Sequence, residues 1–589
     1  MVIASQENRW VFGRIGVSKF AHIFAIMNSK AFNRFFYISL AVLAVIYGIG
    51  MTLDLMDVDS STYALISKQM YQSGSYLQVF LNNNDYLDKP PLVFWATCLS
   101  FKIFGIHDWA YRLASVLVLA LGIYSTYRYA KIFYSERAAK MAALIMASCF
   151  ASYVMTSDVR TDTMLCGWVM FSIWQLAEYF KTLNTEGKGI QHLLLGGVGV
   201  GLAMLTKGPI GLIIPVTAFV VEFAYKRQWH RFFRWQYLIV IVVIAIILVP
   251  MSYGLYEQFD LHPEKVQYGR TGTSGLRFYY WTQSFGRITG ESSWSNNPDP
   301  FFLFHSFLWS FAPWCVFFIP ALYTEIRDKI KNFKKPDMSS EVISVGGFVL
   351  ILIFLSRSKY QLPHYSFAIH PLAAVITAKY LDGCFTSGVK SKLFSAFYGI
   401  HVFLMFIIFA ILFLIVFYIF PAPILFPIII SLSFCAFLYV LFLKTEVSKK
   451  VLLFTMIPYA TLTLIFNTYF YPKVLTYQPG SYVTQILNKT APDGSKLLVY
   501  RDYHGFSMQF YSRFPIAEFV DNKNLKTYMV PGKTFILADT AYIKEIQSVD
   551  PQISIIGRYN SHSPTLLSWG FLNPKTRNAH MDYRVLMKY

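Results

Sequence analysis

Long runs of apolar residues, separated by short polar stretches, fill the chain up to about position 470. A helix that crosses a bilayer needs about 20 such residues. Runs of this kind fall near 35–54, 112–132, 138–156, 163–180, 191–206, 208–225, 235–254, 301–322, 341–356, 363–380, 393–419, 422–443 and 451–470. They predict an α-helical polytopic membrane protein with about 13 transmembrane helices. A further stretch, 90–106, is shorter and opens with Pro90 and Pro91.

Basic residues cluster between the runs. Lys131, Arg137 and Lys140 form one group, Lys226, Arg227, Arg231 and Arg234 a second, and Arg327, Lys329, Lys331, Lys334 and Lys335 a third. Lys390 with Lys392, Lys444 with Lys449 and Lys450, and Arg9, Arg14, Lys19, Lys30 and Arg34 complete the set. Cytoplasmic loops carry such an excess. All six groups share one face only if 90–106 does not cross, so this stretch is expected to be a juxtamembrane or re-entrant helix at the outer surface. The expected organisation is a cytoplasmic segment 1–34 without a cleavable signal, a transmembrane catalytic domain 35–470 with outer loops 55–111 and 255–300, and an extracytoplasmic domain 471–589. In that last part the apolar runs shrink to strand length at 497–500, 534–538 and 553–556, with turn formers between them. A small C-terminal α/β domain is predicted.

Composition agrees. The chain is 55% hydrophobic and only 14% charged, against about 25% charged in soluble domains. A soluble enzyme, a disordered scaffold and a disulfide-stapled secreted domain are excluded. The net charge of +20 belongs to the loops and does not mark a nucleic-acid binder. The six cysteines form no CxxC pair and read as small core residues.

Ionisable groups at a membrane edge are costly and mark function. Asp57 and Asp59 follow the first run, and either can instead cap the helix that begins there. Asp88 and Lys89 precede the two prolines. A cation at a helix N-terminus opposes the dipole and points to an anionic partner such as phosphate, or else to a local Asp88–Lys89 pair. Asp158 and Asp162 flank Arg160 and share a face if that turn is helical. Lys207 is the one charge in a tight outer turn, where it snorkels or binds. Arg270, Arg277, Arg287, Arg357 and Lys359 put more cations on the outer side, against the trend of the loops. Basic groups for a phosphate leaving group, with carboxylates for a base, form a transferase-like set.

Seven segments carry a resemblance. They are Asp57-Val58-Asp59, Tyr86-Leu87-Asp88-Lys89-Pro90-Pro91-Leu92, Arg112-Leu113-Ala114-Ser115, Arg160-Thr161-Asp162, Leu205-Thr206-Lys207-Gly208-Pro209, Phe285-Gly286-Arg287 and Ser358-Lys359-Tyr360-Gln361-Leu362-Pro363. In order and spacing the chain resembles the GT-C membrane glycosyltransferases, above all the group of the lipid A aminoarabinose transferases and protein O-mannosyltransferases. The resemblance implies an inverting transfer of a monosaccharide from a polyprenyl-phosphate carrier, at the outer face of a bacterial inner membrane. The acceptor would be a lipid A-like molecule, a protein or a polysaccharide.

Carried over, Asp59 is the expected catalytic carboxylate with Asp57 its competitor, and Asp162 a second carboxylate. Lys89 is expected to bind the donor phosphate, assisted by Lys207 and Arg270. Tyr63, Asp88, Arg287, Lys359 and Tyr360 are further substrate-binding candidates. No metal ligand is assigned. In the aminoarabinose transferases a histidine of the large outer loop, with an acid matched here by Asp88, can hold a divalent metal. The corresponding stretch here, Gly290-Glu291-Ser292-Ser293-Trp294-Ser295, has no histidine, and His305 lies further on. A transporter or flippase of a polyprenyl-linked or anionic lipid is the alternative, but transporters gather their charges near mid-bilayer rather than in outer loops. A structural envelope subunit would need no such mixture of acids and bases.

Overall fold

A computed structural model describes residues 29–183, 189–292, 294–296, 298–387, 392–443, 447–502 and 505–589. Most of the expected N-terminal segment, including Arg9, Arg14 and Lys19, lies outside the described residues, as do Lys390 and Lys444.

Every apolar run forms helix. Seven helices among the described residues are long and apolar enough to cross a membrane, or eight if one bent pair counts as a single span. These include Asp108–Phe133, Gly189–Lys207 and Tyr237–Asp260. The expected thirteen crossings exceed that number because several runs are broken or short. Run 138–156 is two helices, Glu136–Ala147 and Phe150–Ser157, meeting at 51°. A break inside an apolar core must satisfy the freed backbone groups. Here Tyr47 donates to the Ala147 carbonyl, Tyr459 to that of Cys149 (2.9 Å), and Phe150 N–H to that of Ala312 (2.8 Å). Run 301–322 divides into Phe302–Ser310 and Cys315–Lys331 around Pro313, and run 363–380 opens with the 3₁₀ turn Pro363–Ile369 before His370–Ser387.

The stretch 90–106 yields the helix Leu92–Phe104. Its 13 residues rise about 20 Å, short of a hydrocarbon core of about 30 Å. It packs on the helix Asp59–Ser73 through Tyr63, Phe94, Cys98 and Phe101. A small hairpin joins the two, with strands β1 (Phe80–Leu81) and β2 (Asn84–Asp85). A second hairpin, β3 (Val266–Gln267) and β4 (Arg270–Thr271), stands in the large outer loop.

The C-terminal part holds a five-stranded sheet of order β6-β5-β7-β9-β8. Its strands are β5 (Lys496–Tyr500), β6 (Ile516–Phe519), β7 (Thr534–Asp539), β8 (Ser554–Ser561) and β9 (Asp582–Lys588). β5 pairs in parallel with β6 and β7, and β9 is antiparallel to β7 and β8. Side chains alternate between two cores, Leu497, Val499 and Leu537 on one face and Leu498, Ile536 and Ala538 on the other. Strands β6 and β9 did not stand out in the sequence, since β6 is half-exposed at an edge and β9 starts with charged residues.

The sheet is tied to the outer helices by the helix Gly505–Tyr511. Tyr511 accepts from Leu55 N–H (2.8 Å) and donates to Asp108. Phe510 enters the core around Tyr63 and Phe94. The Lys68 ammonium donates to the carbonyls of Gln509, Phe510 and Ser512 (3.2, 2.6 and 3.3 Å), the electronegative end of that helix.

Candidate active site

A cavity of about 220 Å³ lies where the helices Asp59–Ser73 and Leu92–Phe104 meet the turns between spans, the loop 255–300 and segment 355–365. Each wall has a local cause. Pro90 and Pro91 precede the helix Leu92–Phe104 and line the cavity, with Lys89 just before them. Gly208 has φ +88°, which permits the tight turn that closes the helix Gly189–Lys207 and leaves Lys207 at its end. Gly254 lets the helix Tyr237–Leu255 approach segment 77, since a Cβ there would stand 2.3 Å from the Leu77 carbonyl oxygen.

Three charged clusters face the hollow. In the first, the Lys89 ammonium pairs with Asp88 at 2.5 Å, and Gln283 Nε2 donates to the other Asp88 oxygen at 2.5 Å. Burial alone would raise the Asp88 carboxyl, but the Lys89 charge and hydrogen bond, Arg287 and Gln283 hold it below the usual carboxylate range. In the second, Lys207 pairs with buried Asp162 and lies over the Tyr365 ring, 4.1 Å from its centroid. His364 Nε2 stands 3.7 Å from the second Asp162 oxygen. In the third, Arg160 bridges Asp59 and Asp158, the latter at 2.8 Å.

Arg287 links the first two clusters. Its guanidinium donates to the Tyr365 hydroxyl (2.5 Å) and to Gln283 Oε1 (2.6 Å), and lies 5.2 Å from the Tyr360 ring. Its Nε has no partner, and no carboxylate among the described residues stands within 4 Å of it. Lys89, Lys207, Arg160 and Arg287 line the cavity together with Asp59, Asp88 and Asp162. The lining therefore carries one more cation than anions, and Arg287 is the cation without an acidic partner. The rest is apolar, with Leu87, Leu165, Met251, Leu255 and Phe278 among it. Such a site suits an amphiphile with an anionic head.

The structure thus brings together Asp59, Tyr63, Asp88, Lys89, Asp162, Lys207, Arg287 and Tyr360 at one cavity. It does not bring Asp57, Arg270 or Lys359 there. Asp57 turns toward the C-terminal sheet region, where its Oδ1 accepts from Ser507 N–H (3.0 Å) and Ser61 Oγ (2.5 Å) and its Oδ2 from Ser507 Oγ (2.7 Å). Arg270 is exposed on the β3–β4 hairpin and lines a separate hollow with Arg277 and Glu291. Lys359 is exposed and reaches toward Gly290. Asp158 and Asp162 do not act as a pair on one helix face, because Arg160 is extended between them and each has its own cation.

Gln283, His364 and Tyr365 went unassigned. Gln283 sits in an aromatic-rich loop with no charge to mark it, and His364 and Tyr365 follow a proline at the end of a motif otherwise read for its lysine. Arg112 proves to be scaffold: it is fully buried and donates to the carbonyls of Ser157 (2.8 Å), Met51 (3.0 Å), Leu53 (2.6 Å) and Asp54 (3.2 Å).

The residues present do not fit a divalent metal at Asp88. Lys89 and Gln283 occupy its two oxygens, and Glu291 is engaged by Arg277 (2.7 Å) and Trp281 (2.8 Å). No three His, Cys, Asp or Glu side chains among the described residues stand close enough to share an ion.

Residues 88–253 match the family model described as dolichyl-phosphate-mannose-protein mannosyltransferase. The crystal structure of ArnT from Cupriavidus metallidurans bound to undecaprenyl phosphate superposes with a TM-score of 0.68, covering 94% of this chain and 97% of that one at 18% identity. The fold is that of the GT-C glycosyltransferases. Two curated relatives are undecaprenyl phosphate-α-4-amino-4-deoxy-L-arabinose arabinosyl transferases. The Proteus mirabilis protein is 24% identical over 327 residues, 55% of each chain, and the Photorhabdus laumondii protein 26% identical over 337 residues, 56% of each. The matched part thus spans about half the length of these relatives. Short helices and loops roof the cavity in this chain.

Proposed function

We propose that the chain is an inverting glycosyltransferase that moves a monosaccharide from a polyprenyl-phosphate carrier to an acceptor at the outer face of the membrane. The observation that carries this is the set of three cations, Lys89, Lys207 and Arg287, gathered with Asp59 in one cavity that also has a large apolar lining. The likeness to an undecaprenyl-phosphate-bound structure and to aminoarabinose transferases supports the choice of carrier.

In this reading the donor phosphate lies against Arg287 and Lys89, with Lys207 behind. As the bond from the anomeric carbon to the phosphate oxygen breaks, its electron pair leaves with the carrier phosphate, which gains charge. Preorganised cations in a partly dehydrated cavity stabilise that charge more than water does. The acceptor oxygen attacks the opposite face of the anomeric carbon, and its proton passes to Asp59. Arg160 holds the Asp59 carboxylate in place. Asp162 and His364 keep the Lys207 ammonium directed into the cavity. A lipid A-like phosphate, a protein hydroxyl and a glycan hydroxyl are all chemically suitable acceptors. An acceptor that is already ionised would need Asp59 for positioning only.

The test is transfer by the purified full-length protein in lipid, using a synthetic undecaprenyl-phosphate sugar and counting released undecaprenyl phosphate. Asp59→Asn is expected to lower the rate about 10²–10⁴-fold, the usual loss on removing a general base. Full activity in both Asp59→Asn and Lys89→Ala would overturn the site assignment.

A further inference from the structure

A second hollow, of about 760 Å³, runs along the apolar face between the helices Gly189–Lys207, Ile210–Tyr225 and Tyr237–Leu255. Its walls include Leu176, Val200, Leu212, Val216 and Ile241. Ser252 and Tyr280 line one end, next to Met251 and Leu255 of the catalytic cavity. Phe180, Phe223, Phe232 and Tyr237 line the other. Tyr237 precedes Ser252 by 15 positions on one helix, so the two ends lie about 22 Å apart.

That far end is basic, and its polar groups are unsatisfied. Arg231 lies over the rings of Phe180 and Phe223 (5.6 and 5.8 Å), and Arg234 over Tyr179 (5.9 Å). The Nε atoms of both arginines, the Tyr179 hydroxyl and Gln228 Oε1 have no hydrogen-bond partner. Neither guanidinium has a carboxylate within 4 Å among the described residues. Glu222 acts on Arg231 electrostatically, but its oxygens are engaged by Lys226 (2.6 Å) and Val342 N–H (2.6 Å). Buried polar atoms without partners are uncommon, and four at one place call for an explanation. Around them Trp229, Phe233 and Trp235 are 60%, 91% and 68% exposed, as aromatic side chains are at a bilayer interface.

We propose that this groove binds an anionic glycerophospholipid from the leaflet opposite the catalytic cavity. Its phosphate sits on Arg231 and Arg234, and one acyl chain lies along the groove. Basic pockets between membrane helices hold anionic headgroups in this way. The guanidinium donors match a phosphate, Tyr179 adds a hydroxyl, and Gln228 Oε1 accepts from a headgroup hydroxyl or ammonium. A carrier phosphate engaged in transfer would sit at the other end, by Lys89 and Arg287, so the sugar donor is not the expected occupant.

Native mass spectrometry of the full-length protein tests this, after equilibration in detergent with phosphatidylglycerol, phosphatidylcholine or undecaprenyl phosphate. The wild type should retain one phosphatidylglycerol in preference to phosphatidylcholine. Arg231→Gln with Arg234→Gln should weaken retention about tenfold or more, as expected for losing charge-assisted hydrogen bonds. Leu212→Trp should weaken it by filling the groove with all charges kept, which a diffuse attraction to the basic loop would not show. If the double variant loses its thermal transition, Tyr179→Phe replaces it, with reduced retention expected. Equal retention by wild type and variants, or of both phospholipids, would overturn the proposal. Displacement of phosphatidylglycerol one for one by undecaprenyl phosphate would also overturn it, by assigning the groove to the donor.

Discussion

Among single residues, Arg287 has the most distinct expected signature. It is the cavity cation with no acidic partner, held by the Tyr365 phenol and the Gln283 amide, which line the hollow beside it. Arg287→Lys keeps the charge but cannot reach Tyr365, Gln283 and a phosphate together. It should raise the KM for the polyprenyl donor and lower kcat, with the total loss in kcat/KM about tenfold or more. Steady-state kinetics with varied donor checks this. Arg160→Ala should mimic part of the Asp59→Asn loss, and the double variant should lose less than the product of the two, because the pair acts as a unit. Asp88 sets a pH dependence. Its folded-state carboxyl is depressed, so its contribution to stability is fully present above the unfolded carboxylate value and is lost only as pH falls through the lower folded one. Thermal unfolding of Asp88→Asn should therefore lose less stability relative to wild type under acid than at neutral pH.

Among elements, the helix Gly505–Tyr511 joins the C-terminal sheet region to the helix that carries Asp59. Asp57→Ala removes the acceptor for Ser507 N–H and Oγ, each a hydrogen bond to a charged group worth about 1.5–3 kcal/mol. It should raise hydrogen exchange over 505–511 while leaving the β-sheet protected. Gly254 is a second sensitive point. Gly254→Val places side-chain carbon against the Leu77 carbonyl and should cost about 1–3 kcal/mol by overpacking, read as a lower thermal midpoint with the cavity residues unchanged. These elements also show how far the chain was legible beforehand. Every apolar run proved helical, because burial in lipid leaves its mark on composition, but only seven or eight helices among the described residues are long and apolar enough to cross a membrane. The breaks at Ser148–Cys149 and Pro313 did not show, because the partners that satisfy them come from Tyr47, Tyr459 and Ala312, far away in the chain. Lys89, Lys207 and Asp59 were legible because charge at a membrane edge is costly. Gln283 and Tyr365 were not, because a neutral side chain acquires meaning only from what it touches. Arg270 misled for the opposite reason, as a conspicuous cation that the β3–β4 hairpin carries away from the cavity.

At the scale of the whole molecule, spans, short helices and loops converge on one hollow, and its chemistry depends on which phosphate it holds. The most direct measurement is a structure of the full-length protein with undecaprenyl phosphate bound. The account predicts phosphate oxygens at about 2.7–2.9 Å from the nitrogens of Arg287 and Lys89, with the first isoprene units along Leu255 and Phe278 and Asp59 facing the space left for the sugar. A phosphate seated instead beside Arg270, or on the far side of the outer helices from Asp59, would contradict it.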